Sequence, residues 1–253
     1  MSMTIRKICR YPVKGLSAEP LEAVALAPDR GLPDDRRFAI ARGASRPGTE
    51  DGAWQPKSAF HQLQREERLA QLRTSFDSES GLLTLERHGR QVARGNPGDP
   101  LGRTLLTQFF GAFLGGSGQG APRIVEAKGG AFTDVPDPFI SMVNLASVAD
   151  LARVVGRAPD PLRFRANLYL EGAAPWEEAN WVGRVLEIGG VKVKAVDLIE
   201  RCAATNVDPE TAERDLNLPL ALQRGFGHCQ MGLYLRVLEA GTLKLGDSLK
   251  LAD

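Results

Sequence analysis

Two short arms, Val185-Leu-Glu-Ile188 and Val191-Lys-Val-Lys-Ala-Val196, flank the pair Gly189-Gly190, and this segment restricts the fold more than any other. Successive strand side chains point to opposite faces, so apolar residues at every second position give a ribbon with one buried face. Adjacent glycines supply the positive φ values that a two-residue hairpin turn requires. The same pattern recurs along the chain. Strand-like runs are read at 4–11, Leu21–Ala27, Arg37–Ala41, Leu82–Arg87, Gln91–Ala93, Arg123–Glu126 and Ala166–Leu170. Three more follow at Gln230–Leu238, Thr242–Leu245 and Ser248–Leu251. Turn formers such as His88-Gly89-Arg90 and Gly246-Asp247 separate them. Many short strands hide their edges best by pairing and closing, which predicts an α+β fold, mainly β, with barrel-like and mostly antiparallel sheets.

Two helices interrupt this pattern. Asp99 is read as an N-cap, Pro100 fits the first helical position, and Leu105, Leu106, Phe109, Phe110 and Phe113 keep helical spacing up to Leu114. A second helix is read at Ser147–Val155, with Ser147 as its cap and Gly156 just past its end. The run Gly115-Gly116-Ser117-Gly118-Gln119-Gly120 is the best linker in the chain, so domains are expected at 1–120 and 121–253. It lacks the Lys-Ser/Thr ending of a phosphate loop. The Gly43–Lys57 segment has little periodicity and is expected to be an exposed loop.

Composition removes whole classes of function. A net charge of +1 over 253 residues leaves no global field to attract DNA, RNA or an anionic membrane. No uncharged apolar run approaches the ~20 residues of a membrane helix, and the first residues carry no signal-peptide core. Three widely spaced cysteines (Cys9, Cys202 and Cys229) argue against a disulfide framework and for a reducing, cytoplasmic location. Neither they nor His61, His88 and His228 are spaced for structural zinc, an iron–sulfur cluster or attached haem.

Cys202 lies where an apolar strand, Asp197-Leu-Ile-Glu-Arg-Cys202, runs into the polar turn Ala-Ala-Thr205-Asn206-Val207-Asp208-Pro209. Arg201 beside it would favour a thiolate, while the simpler reading is a small buried hydrophobe. The segment Arg201 through Thr211 resembles the signature of the MOSC family, named for the C-terminal domain of molybdenum-cofactor sulfurase. Tyr11-Pro-Val-Lys14-Gly15, Asp35-Arg36-Arg37-Phe38, Pro138-Phe-Ile140, Arg165-Ala-Asn167, Trp176 through Gly183 and Gly241 through Asp247 fall in the order found in the subgroup with an added N-terminal β-barrel domain. That subgroup includes the mitochondrial amidoxime-reducing component and bacterial reductases of N-hydroxylated compounds.

The resemblance implies a molybdenum cofactor (Mo-molybdopterin) whose metal takes Cys202 as its protein ligand and catalytic residue. Thiolate is a soft donor suited to a metal already held by dithiolene sulfur. It further implies that Lys14, Arg36, Arg165, Asn167 and Arg201 bind the pterin and its phosphate, which suits guanidinium groups. Arg37 is an alternative to Arg36, since the two are adjacent. Asp208 is expected to brace the turn after Cys202. The implied activity is reduction of a small N-oxygenated substrate with electrons from an external electron-transfer protein. A cofactor carrier or sulfur-transfer module is the alternative, although the lysine domain that holds pyridoxal phosphate in full sulfurases is absent. A domain that has lost the metal is a third reading. Gly15 stands where well-known members have Ser, and Ile199 where some have a second cysteine.

Overall fold

In the computed structural model, which describes residues 2–43, 54–115 and 120–252, the hairpin around Gly189-Gly190 forms and is one corner of a closed barrel. The strands are β1 (Met3–Arg10), β2 (Glu19–Leu21), β3 (Ala23–Leu26), β4 (Phe38–Ala41), β5 (Leu72–Asp77), β6 (Leu82–Arg87), β7 (Arg90–Gly95) and β8 (Arg123–Glu126). The later ones are β9 (Ile140–Asn144), β10 (Leu168–Glu171), β11 (Val185–Ile188), β12 (Val191–Glu200), β13 (Gln230–Val237), β14 (Gly241–Lys244) and β15 (Ser248–Leu251). Three α-helices are α1 (Pro100–Leu114), α2 (Leu145–Val155) and α3 (Leu218–Phe226).

The large sheet runs β10-β9-β13-β12-β11-β15-β1-β2, and a further β10–β1 pairing closes seven of these strands into a ring. Every pairing in it is antiparallel except β9 with β10. Alternate side chains fill the interior, among them Ile5, Leu186, Val193, Leu233 and Leu235, all without solvent exposure. Fully burying each is worth about 1.5–3 kcal/mol. The fold class is therefore mainly β, with few helices.

A second apolar core gathers Phe38, Ile40, Leu72, Leu83, Leu106, Phe110 and Ile124 around the β5-β6-β7 meander, the β4–β8 pair and α1. Val207 joins it from the turn after Cys202. Helix α1 begins as expected, with Asp99 accepting from the Gly102 N–H at 2.9 Å and Pro100 in its first turn. Residues 116–119 of the predicted linker lie outside the described residues, as do 44–53 of the predicted loop. Three sheets contain strands from both sides of residue 120, through β1, β3 and β4. The division of the chain there stays a proposal.

Several expectations shift. The run Leu21–Ala27 is split: β2 pairs with β1, whereas β3 pairs with β14. Helix α2 starts two residues earlier than read, because the Asn144 side chain accepts from the Ala146 N–H at 3.0 Å. Ser147 instead donates its hydroxyl to the buried Glu178 carboxylate. Strands β5 and β9 and helix α3 were not anticipated. Among the described residues no helix is long and apolar enough to cross a membrane.

Candidate active site

All six residues singled out from the sequence, Lys14, Arg36, Arg165, Asn167, Arg201 and Cys202, line one cleft. Strands β9 and β13 contribute Ser141 and Tyr234, which face each other in register. Tyr234 alternates with the barrel-core residues Leu233 and Leu235 and so points away from the barrel interior. The turn around Lys14, the Asp35–Arg36 turn and the segment 133–135 supply the remaining walls.

Cys202 leads into a turn of 3-10 helix, Ala203–Asn206, and its carbonyl accepts from both the N–H and the hydroxyl of Thr205 at 3.1 and 2.9 Å. Its thiol is half-buried and makes no hydrogen bond among the described residues. Cys9 is buried and pushed up to about 11 by loss of solvation, so it stays a neutral thiol in the core. Asp208 holds the turn: one oxygen accepts from the Glu210 and Thr211 N–H groups at 2.8 and 2.9 Å, and the other pairs with Arg163 at 2.5 Å. Burial works against its charge, but these N–H groups and Arg163 keep its carboxyl below the usual range. Arg163 also pairs with Asp215 and donates to the Asn206 carbonyl at 3.0 Å.

The arginines differ in how their charge is met. Arg36 sits at φ 48°, pairs with Asp35 and donates to the Arg165 carbonyl at 2.7 Å. Burial opposes its charge, but Asp35 and Tyr11 raise its pKa overall. Arg165, at φ 52°, donates to the Leu16 carbonyl at 2.6 Å. The Arg36 and Arg165 guanidiniums lie 4.3 and 4.4 Å from the centre of the Tyr11 ring, a cation–π arrangement. Arg201 reaches the Met231 carbonyl at 2.6 and 2.8 Å and the Phe164 carbonyl at 2.8 Å. Among the described residues neither Arg165 nor Arg201 has a carboxylate partner. Burial lowers both pKa values, helped at Arg165 by the nearby Arg36 charge, and Arg201 falls to about 10. Partly buried cations without counter-charges carry a desolvation cost, and an anionic ligand would relieve it.

Lys14 is buried with its ammonium on the Phe132 carbonyl and on Asp134, at 2.9 and 2.5 Å. Burial lowers its pKa, and Asp134 partly restores it. Asp134 is in turn held at about 2, its burial outweighed by Lys14, Lys57 and Arg36. Asn167 is a strut more than an open contact. Its side-chain oxygen accepts from the Ser141 N–H and hydroxyl at 3.0 and 2.9 Å, and its amide donates to the Cys9 carbonyl at 3.2 Å. Arg37, the alternative to Arg36, turns to Glu126 and Asp34 and does not line the cleft. Asp35, Asp134, Arg163 and Tyr234 belong to the site but were not anticipated. Asp35 opens a quoted motif and Arg163 stands two residues before another, whereas nothing local marked Asp134 or Tyr234.

Residues 129–250, just under half of the chain, match the family model of the MOSC domain. Mitochondrial amidoxime reducing component 2 of Homo sapiens is 31% identical over 122 residues, which are 44% of this chain and 36% of that protein. Molybdenum cofactor sulfurase of Caenorhabditis briggsae is 35% identical over 103 residues, 39% of this chain and 14% of that protein. The matches thus span little more than a third of the first relative and far less of the second. The YUAD protein from Bacillus subtilis superposes over 98% of this chain and 94% of its own, with a TM-score of 0.46 and 11% identity.

Proposed function

We propose that the cleft holds a molybdenum cofactor through the Cys202 thiolate, and that the protein is an oxidoreductase of N-hydroxylated or related N–O compounds served by a separate electron donor protein. One observation carries the reading: a half-buried thiol, unbonded among the described residues, opens on a cleft with two partly buried guanidiniums that lack carboxylate partners there. The relatives named for amidoxime reduction support the substrate class.

The residues suit this group. Among the described residues no cluster of three or more His, Cys, Asp or Glu side chains could hold a metal alone. A single thiolate fits a metal that arrives with sulfur ligands of its own. When bound, the cofactor supplies a redox metal that exchanges an oxygen with the substrate. Cys202 would anchor that metal, while Arg36, Arg165, Arg201 and Lys14 would meet the pterin and its phosphate. Asn167 keeps β1, β9 and β10 in register beneath them, and Arg163 with Asp208 holds the turn that presents the thiol. Three free cysteines support a cytoplasmic setting.

Cys202→Ala and Cys202→Ser, purified from a host that makes the cofactor, should lose bound molybdenum and reduction of an amidoxime. Full metal content and turnover in the alanine variant would defeat the assignment. The match to a molybdenum cofactor sulfurase supports a second reading, a carrier that binds the pterin or a persulfide without turnover. Turnover with a chemical reductant separates the two.

A further inference from the structure

Four hydroxyl side chains line the cleft: Thr133, Ser141, Thr205 and Tyr234. Three are already donating within the protein. Thr133 donates to the Val135 carbonyl at 2.7 Å, Ser141 to Asn167 at 2.9 Å, and Thr205 to the Cys202 carbonyl at 2.9 Å. The Tyr234 hydroxyl alone makes no hydrogen bond among the described residues.

Its surroundings keep the proton in place. Burial raises the phenol's pKa, and the Asp134 charge raises it further against the opposing pull of Arg201 and Arg36. The hydroxyl is thus a neutral donor across the physiological range. Its ring packs 5.7 Å from that of Phe139, which lines both the cleft and a neighbouring groove bounded by residues 25–35 and 129–138. Tyr234 lines the same cleft as Cys202. An aromatic wall with one unspent O–H, beside a groove that leads outward, suits the body of an uncharged organic molecule. The guanidinium groups suit an anion instead.

We propose that Tyr234 contacts the substrate, donating its hydroxyl hydrogen to the oxygen of the substrate's N–O group and so selecting N-oxygenated molecules over their reduced counterparts. This rests on the functional reading above. Because that oxygen is the atom leaving nitrogen, the bond acts in the transition state as well as in binding, and its loss shows in kcat/KM.

The test uses Tyr234→Phe and wild-type protein, both loaded with cofactor, with acetamidoxime as substrate and a reduced viologen as electron source. The value of kcat/KM should fall about five- to tenfold, the worth of one hydrogen bond, with molybdenum content unchanged. Inhibition by acetamidine, which lacks the N–O oxygen, should be equal in the two proteins. Equal kcat/KM values in an active, metal-loaded pair would overturn the proposal and leave the functional reading intact. A matching loss of acetamidine binding would reduce Tyr234 to a packing role, and loss of molybdenum would place it on the cofactor; either overturns the proposal. If the wild type holds no molybdenum, the functional reading falls and this proposal with it.

Discussion

A β-carbon at position 232 would lie 2.3 Å from the Met142 carbonyl oxygen and 3.2 Å from a guanidinium nitrogen of Arg201. Gly232, at φ 81°, therefore lets Arg201 lie flat against the barrel wall beside the cleft. Gly15 has a similar reason to be glycine. Its φ is 87°, which side-chain-bearing residues rarely adopt, although a β-carbon there would meet the His61–Gln62 backbone at an ordinary 3.4 Å. A serine would be strained at this backbone conformation. His61 itself is buried with one ring nitrogen on Glu66 at 3.2 Å and the other without a partner. Burial lowers its pKa from 6.5 in spite of Glu66, so it folds as a neutral ring. The unfolded chain then takes up the proton first as pH falls below about 6.5. Stability is expected to be full above that value and to decline as the pH drops toward the folded pKa. Urea unfolding at pH 7, 6 and 5 should show this decline, and His61→Gln should flatten it; an unchanged slope would remove His61 as its source.

At the scale of elements, the turn carrying Cys202 is held from outside by a residue 39 positions earlier. Arg163 reaches Asp208, Asp215 and the Asn206 carbonyl, with its side chain only 2% exposed. Removing Arg163 takes one partner from two partly exposed carboxylates that keep others, Asp208 its backbone N–H groups and Asp215 the Arg157 guanidinium, at a cost of about 1–3 kcal/mol. Arg163→Met should therefore lower unfolding free energy by an amount of that order. It should also speed modification of Cys202 by a thiol reagent, measured in a Cys9/Cys229-free background. An unaltered rate would show that the turn holds its shape without the clamp. Helix α1 was legible because its signals are local: a cap, a proline and apolar spacing. Strand β9 was not, since its burial alternates poorly in Ile140-Ser-Met-Val-Asn144. Helix α3 has only nine residues and a proline in its first turn, too short for a periodic signal.

For the whole molecule, the ring of strands runs through β1, which lies between β10 and β15. A fragment of residues 121–253 would expose both edges that β1 covers, and open edges promote association. That fragment is expected to aggregate or to lack a cooperative thermal transition, whereas the full chain should melt in one. A soluble fragment with its own sharp transition would support the division at residue 120 as a folding boundary.

The order of short amphipathic runs, the glycine turns and the local caps settled the β-rich class and the course of α1, because each depends on neighbours within a few residues. The motif residues of the site were visible in the sequence through their resemblance to a family, not through their spacing. Their convergence was decided only by tertiary structure. Lys14 and Arg36 come from the N-terminal half, while Arg165, Arg201 and Cys202 come from strands and turns of the other. Which arginine of the Arg36–Arg37 pair faces the cleft, and that Tyr234 and Asp134 join it, follow from barrel closure and the packing of distant segments. No short-range pattern encodes those relations.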